Sequence, residues 1–550
     1  MPKYQSYPTV NLPNRQWPNK VLTTPPLWCS VDLRDGNQAL ATPMNIAQKL
    51  TFFKVLTKMG IKHIEVGFPS ASQVEFDFTR QLIEDDLIPS DVTIQVLTQA
   101  RQHLIERTVE SLQGAKSAII HIYNSTSEQQ RRVTFGKTKA EIKEIAIQGI
   151  KDIIDLLPKL EGTLVTLEYS PESFTGTELD YALEVCEAVI DTWNPSLRGK
   201  IIINLPSTVE LSLPNVYADR IEWFCQNLKH RDKVILSLHT HNDRGTGTAS
   251  TELGLLAGAD RVEGTLFGNG ERTGNLDLIN VAGNLFTQGV DPGIDLSDIP
   301  HLRKVYEECT GMTVDPRHPY GGDLVFTAFS GSHQDAISKG FSKQSPDPQA
   351  LWDVPYLPID PKDIGRGYEA IIRVNSQSGK GGVAFILENE YGIRIPKTMQ
   401  PDLGKHANDL SEELSKELTP REIYSVFEKQ YLKNHDRLKM ISYDMQSSAH
   451  QVHLSAKMEM NGQIFELKGL GNGPIDAYVH ALQSSFSWNF NVEDYSEQAL
   501  GVGSESEALS FIALKWEGKK IVWGAGKDTD TTEASFNALL SSLNRCGLTV

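Results

Sequence analysis

Between residues 26 and 288, short runs rich in β-branched side chains alternate with longer stretches whose apolar residues recur every three or four positions. Runs apolar on both faces suit strands of a buried parallel sheet, and the longer stretches suit the amphipathic helices that cover it. The alternation predicts repeated βα units. Eight strand candidates are present: LWCSVDL (27–33), HIEVGF (63–68), TIQVLT (93–98), SAIIHIY (117–123), LVTLEY (164–169), KIIINL (200–205), KVILSLH (233–239) and RVEGTLF (261–267). Helical patterns such as NIAQKLTFFKVLTKM and TKAEIKEIAIQGIKDIIDLL lie between them. Eight units in roughly 260 residues match the usual size of an α/β (β/α)₈ TIM barrel. An open doubly wound sheet is the alternative, but no GxGxxG follows the first strand.

A barrel carries its chemistry at the C-terminal ends of its strands. Those ends are polar here: Asp32, Arg34 and Asp35 on the first, Glu65 on the second, His121, Tyr123 and Asn124 on the fourth, and Thr166 and Glu168 on the fifth. Asn204 and Thr208 follow on the sixth, His239, His241, Asn242 and Asp243 on the seventh, and Asn269, Glu271, Arg272 and Asn275 after the eighth. Loops are polar in any case, which accounts for Asn and Thr. It accounts less readily for two histidines, an arginine and several carboxylates at one end.

The HTH run at 239–241 sets two imidazoles at i and i+2, on one face of a strand. Such a pair suits a divalent metal, although HxH also occurs as ordinary polar surface. Strands one and seven are separated in a barrel by strand eight alone, so Asp35 is the natural third ligand. Mixed oxygen and nitrogen donors suit Mg²⁺, Mn²⁺ or Zn²⁺. Arg34 adjoins that ligand, where its permanent charge would face an oxygen polarised by the metal; the plainer reading is an ion pair with Asp32. An inward charge on a barrel strand is costly unless employed, which favours function. For Glu168, an acid/base role and a solvated loop carboxylate both stay open.

Residues 1–25 form a polar, proline-rich extension before a barrel domain at 26–325. Turn signals then crowd the chain, in DPRHPYGG (315–322), KQSPDPQ (343–349), WDVPYLPIDPKD (352–363) and NSQSGKGG (375–382), marking helical linker subdomains over 326–436. NSQSGKGG resembles a phosphate loop only superficially, since GxxxxGK[ST] is absent. Over 437–550, MNGQIFELKGLGNGPIDAYVHAL and WEGKKIVWGAGKDTDTTEASFNAL each read strand, glycine turn, helix, which predicts an α+β domain built from a duplicated βα unit. Such turns can offer free N–H groups to a carboxylate, but glycines that merely form the turn are the simpler reading.

Composition narrows the partners. Fifty-three Lys+Arg against 70 Asp+Glu leave a formal charge of −17, which argues against nucleic acid or an anionic membrane surface but not against a small anionic substrate in a cationic cleft. The five cysteines are scattered, odd in number and never spaced CxxC, so neither a disulfide framework nor a cysteine zinc site is expected. A reducing cytoplasmic location fits. The N-terminus has no apolar h-region, and no apolar run reaches the ~18 residues needed to span a bilayer.

Six separated motifs, VDLRDGNQA (31–39), LEYSPESF (167–174), NLPSTVE (204–210), LHTHNDRGTG (238–247), GNGERTGN (268–275) and SGSHQDAI (330–337), together resemble the long branch of the 2-isopropylmalate synthase family, among the metal-dependent aldolase-like barrels. GNGPIDA (471–477) and GAGKDTD (524–530) extend the resemblance over nearly the whole chain. It implies condensation of acetyl-CoA with 2-oxoisovalerate and thioester hydrolysis to 2-isopropylmalate, the first committed step of leucine synthesis. It also implies metal ligands Asp35, His239, His241 and Asn275, an oxyanion contact from Arg34, and substrate contacts from Arg34, His121, Thr166 and Thr208. His333 becomes the base candidate, assisted by Glu168 and Tyr368, and a homodimer in which the partner supplies His333 is implied; read without the resemblance, His333 is a solvent-facing histidine at a helix start. A C-terminal leucine site would involve Gly471, Gly473, Ile475 and Asp476. The first motif reads RDGNQ where the general family often has RDGEQ, a departure that suits the long branch and leaves the metal position intact. Homocitrate and citramalate synthases, a metal-dependent aldol lyase and a non-catalytic amino-acid sensor are the alternatives; the intact set Arg34, Asp35, Glu168, His239, His241 speaks against the sensor.

Overall fold

The computed structural model describes residues 6–328, 330–347, 350–368, 380–414, 418–433, 437–448, 451–501, 506–518 and 520–546. They form two compact units, one of residues 1–325 with 359–368, the other of residues 326–358 with 369–550. Most of the NSQSGKGG stretch lies outside the described residues.

In the first unit, β1 (Leu27–Ser30), β2 (His63–Gly67), β3 (Thr93–Gln99), β4 (Ser117–Ser125), β5 (Leu164–Glu172), β6 (Ile201–Ser207), β7 (Val234–Thr240) and β8 (Arg261–Gly264) pair in sequence order into a closed parallel barrel, with β8 returning to β1. Each falls on an expected run, so the (β/α)₈ barrel is the observed fold. The helices that wrap it start where the sequence supplies caps: Asn45 and Gln48 form a reciprocal capping box on Ile46–Met59, and Thr138 with Glu141 does the same for Lys139–Leu156. The N-terminal extension is tied to the helix Pro214–Asn227 through Arg15, which donates twice to Asp219 at 2.6 Å, and Trp17, whose Nε1 reaches the same carboxylate at 2.8 Å.

Two strand ends differ from expectation, and both matter at the mouth. β1 stops at Ser30 because Asp32 folds back, accepting from Ser30 Oγ at 2.8 Å and from the Leu266 N–H at 3.0 Å, so Asp32–Gly36 form a single wide helical turn. β5 runs on to Glu172, paired residue by residue with β4 as far as Ser125.

In the second unit the repeat is larger than a βα pair. β9 (Leu438–Ser448), β10 (Gln451–Met460) and β11 (Gln463–Gly471) form one antiparallel sheet followed by the helix Pro474–Phe486, and β12 (Phe490–Leu500), β13 (Glu507–Trp516) and β14 (Lys520–Asp528) form another followed by Thr531–Arg545. The expected duplicated βα unit is therefore a duplicated βββα unit. The sequence repeat marks only its last strand and helix, because the glycines that make those segments alike sit at that junction alone.

Those glycines are packing devices. A Cβ on Gly471 would lie 2.2 Å from the Ala477 nitrogen, and one on Gly526 would lie 2.1 Å from the Ala534 carbonyl oxygen, so each helix backbone rests directly on the last strand of its sheet. Replacing Gly526 by Ala is expected to push helix and strand apart and cost about 1–3 kcal/mol, read as a lower urea midpoint of the full chain; an unchanged midpoint would show that the helix can shift freely. Gly473, by contrast, is extended and has nothing within 4 Å of such a Cβ. Asp476 Oδ2 accepts from the Asn472 N–H at 2.8 Å, which closes the turn, and Ile475 packs half-buried against the core beneath.

Candidate metal centre and active site

The wide turn after β1 swings Asp35 over the barrel mouth, where it meets the two histidines that end β7. Asp35 Oδ2 lies 3.4 Å from His239 Nε2 and 3.6 Å from His241 Nε2, and the two Nε2 atoms are 3.4 Å apart. All three side chains are buried. Each imidazole is held from behind: His239 Nδ1 by Glu263 Oε2 at 2.9 Å, and His241 Nδ1 by the Thr208 carbonyl at 2.8 Å and Arg272 NH2 at 2.6 Å. That leaves both Nε2 atoms facing the same point as the carboxylate.

The chemistry of this set fits a divalent cation. Among the described residues Asp35 Oδ2 and Asn275 Oδ1 are buried without a hydrogen-bond partner, which is costly for polar atoms unless something else occupies their lone pairs. Asn275 is brought beside His241 by a backbone bridge between the two residues. Ligands about 2.1 Å from an ion lie about 3.0–3.4 Å apart in octahedral or tetrahedral shells, close to the spacing observed. Burial pushes the Asp35 carboxyl up, but Arg34 and the two histidines outweigh it and hold the group well below the usual carboxylate range. It therefore stands as a carboxylate, the form a cation would require.

Arg34 is paired with Asp35 through NH1 and with Glu65 through Nε; the ion pair with Asp32 does not form, because the turn carries Asp32 away toward Leu266. Its NH2 has no protein partner among the described residues, and the side chain lines a cavity of about 360 Å³ together with Asp35, His239 and His241. His121 shares that cavity, with Nδ1 2.7 Å from Glu65 Oε2 and Nε2 2.8 Å from Ser170 Oγ. Burial pulls its pKa down, but Glu168 and Glu65 outweigh this and raise it. Thr208 lines the same space, its Oγ1 accepting from the Ser173 N–H at 2.9 Å.

Two site expectations on β5 need correction. Thr166 is the third residue of the strand, at the end away from the mouth, and Glu168 is fully buried at mid-strand; neither lines the cavity. Both were placed too high by ending the strand at residue 169. The positions that reach the mouth on the same face are Ser170 and Glu172. Their signal is present in LEYSPESF as the same i, i+2 register continued past residue 169. Glu168 instead lies 3.3 Å from Arg261 NH2 and 3.7 Å from His121 Nε2, and burial pushes its pKa up to about 8 against the pull of Arg261.

Tyr368 is half-buried in the first unit and does not line the cavity. His333 belongs to the second unit, exposed in the helix Gly331–Lys343, with its ring stacked on Tyr356 at 4.0 Å. Sequence reasoning missed Gln95, Arg261 and Glu263 altogether. They are fully buried polar residues on β3 and β8, and isolated charges in apolar runs carry no distinguishing pattern.

A family model described as HMGL-like matches residues 26–305, one for the post-catalytic domain of α-isopropylmalate synthase matches 323–388, and one for the LeuA allosteric (dimerisation) domain matches 417–546. A protein of Clostridium acetobutylicum named 2-isopropylmalate synthase is 54% identical over 99% of both chains. The chain belongs to the 2-isopropylmalate synthase family. Relatives with the same name from Pseudomonas savastanoi pv. phaseolicola and Pseudomonas entomophila are each 53% identical, covering 99% of this chain and 97% of their own. For a 2-isopropylmalate synthase, the barrel is the HMGL-like part, and the βββα repeat falls within the LeuA match.

Proposed function

We propose that this chain condenses acetyl-CoA with 2-oxoisovalerate and hydrolyses the resulting thioester, giving 2-isopropylmalate and CoA at the head of leucine synthesis. The observation that carries the reading is the convergence of Asp35 Oδ2, His239 Nε2 and His241 Nε2 at the barrel mouth, with Asn275 bridged to His241 through the backbone, in a chain of this family. Those four residues would hold a divalent ion, Mg²⁺ in the first instance with Mn²⁺ or Zn²⁺ as alternatives, and the ion supplies Lewis-acid polarisation of the keto group. Arg34, clamped by Asp35 and Glu65, directs its free edge at the oxygen that gains charge as the carbon–carbon bond forms. His121 and Thr208 face the substrate from β4 and the β6 loop, and Ser170 and Glu172 join them in place of Thr166 and Glu168.

The acetyl methyl is a weak carbon acid, so its proton must pass to a nearby base. His333 is the proposed base, assisted by Tyr368; its exposed imidazole is accessible to a thioester, and a homodimer in which the partner supplies it is part of the same reading. Glu168, whose pKa is raised by burial, lies beneath His121 and takes no direct part. Among the described residues no helix is long and apolar enough to cross a membrane, which agrees with a proposed cytoplasmic location.

Thiol release from acetyl-CoA, assayed with a panel of 2-oxo acids, tests the reaction. The reading expects 2-oxoisovalerate to be the preferred acceptor; preference for 2-oxoglutarate or pyruvate would make this a homocitrate or citramalate synthase, and carbon–carbon cleavage without CoA an aldol lyase.

Leucine is the proposed effector, acting at the turn of Gly471, Gly473, Ile475 and Asp476 by binding one state of the enzyme more tightly than another. Asp476→Ala is expected to weaken inhibition about tenfold or more in leucine concentration, a loss of about 1.4 kcal/mol, with uninhibited turnover largely kept. Superimposable inhibition curves for variant and wild type would place the effector elsewhere.

A further inference from the structure

Beneath the metal ligands lies a buried layer of charge that the reaction as described above does not use. Its centre is Glu263 on β8, a fully buried carboxylate. Oε1 accepts from Gln95 Nε2 at 2.9 Å and from Arg261 NH1 at 3.0 Å; Oε2 accepts from His239 Nδ1 at 2.9 Å and from Asn204 Nδ2 at 3.1 Å. Four donors thus meet the four lone-pair positions of one carboxylate. Arg261 is itself held by Ser237 Oγ at 2.8 Å and Gln95 Oε1 at 2.7 Å, so the carboxylate cannot turn without breaking several bonds at once.

The two metal histidines are therefore backed differently. Behind His241 stand the neutral Thr208 carbonyl and the Arg272 guanidinium, whose NH2 lies 2.6 Å from Nδ1, and behind His239 stands an anchored carboxylate. A carboxylate accepting the second ring N–H fixes the tautomer and makes the facing nitrogen a stronger donor. We infer that Glu263 is the positioning residue of the metal site: braced by Arg261, Gln95 and Asn204, it holds His239 in the ligating tautomer and orientation and so sets how tightly the ion is bound. This rests on the reading of Asp35, His239 and His241 as metal ligands.

Glu263→Gln keeps the volume but turns an NH₂ toward either Arg261 and Gln95 or His239 and Asn204, donor against donor in each case. In calorimetric titration of the full, chelator-stripped chain, Mn²⁺ is expected to bind this variant about 10–100-fold more weakly than wild type. Glu263→Asp retains the charge and withdraws it by one methylene from His239, and is expected to weaken Mn²⁺ as well; it keeps the inference testable should the glutamine variant fail to fold. His239→Ala serves as the reference. If it binds Mn²⁺ weakly while a folded Glu263 variant binds like wild type, the inference is overturned, including where that variant merely melts at a lower temperature, the mark of a structural role alone. Wild-type affinity in His239→Ala would instead overturn the metal reading and the inference with it.

Discussion

Replacing His241 by Ala is expected to lower turnover on the order of a thousandfold and to reduce divalent-metal affinity in parallel. The imidazole is buried, its Nδ1 is committed to the Thr208 carbonyl, and its Nε2 is one of three donors within 3.6 Å of one another. A site with so few protein ligands has no substitute for a lost one, since Glu263 accepts four hydrogen bonds and Glu65 three, from partners that hold both carboxylates in place. Lewis-acid polarisation is worth several kcal/mol of transition-state stabilisation, and each 1.4 kcal/mol is about tenfold in rate. Turnover against metal concentration and metal content after dialysis check the expectation together. Wild-type values in both would remove His241 from the site.

Arg34→Lys is expected to reduce kcat by about 10²–10³, the range for loss of an oxyanion donor, with a much smaller change in KM for the oxo acid. The guanidinium uses Nε for Glu65 and NH1 for Asp35, and presents its remaining edge to the cavity. A lysine carries the same charge on a single atom. It cannot span two carboxylates and still direct a donor at a third point. It would also leave Glu65, which is fully buried, less well neutralised: burial pushes that carboxyl up, and Arg34 is the largest influence holding it down. Steady-state kinetics separate the outcomes, and an effect confined to KM would mean that Arg34 binds the substrate without stabilising the oxyanion.

The mouth of the barrel was legible where strand ends carry unusual residue types. His239, His241 and Asp35 follow from an i, i+2 pair and a carboxylate near the first strand, and the structure brings them together. β5 runs beyond the β-branched run that marks it, through Ser170 and Pro171 to Glu172, because pairing with β4 continues where the apolar signal ends. A shift of two residues along a strand keeps the face and changes the depth, which is why Thr166 and Glu168 had the right face and the wrong height. The layer of Gln95, Arg261 and Glu263 was not legible at all. Its members are 166, 168 and 2 residues from one another, and their meaning arises only when the barrel closes β8 against β1 and brings β3 within reach across the interior. In the second unit the repeat was visible through its glycines. The strands ahead of them diverge in sequence because their surroundings differ: β10 alternates buried and exposed, whereas β13 is buried nearly throughout.

The central claim is that an ion held by Asp35, His239, His241 and Asn275 is required for the condensation. The most direct measurement is to strip the full chain with EDTA, titrate Mn²⁺ back, and follow thiol release from acetyl-CoA with 2-oxoisovalerate alongside metal bound per chain. The account predicts negligible release in the stripped protein, recovery that saturates at about one ion per chain, and no recovery at the same concentrations in His241→Ala. Full release from the stripped chain, or recovery in His241→Ala indistinguishable from wild type, would contradict it.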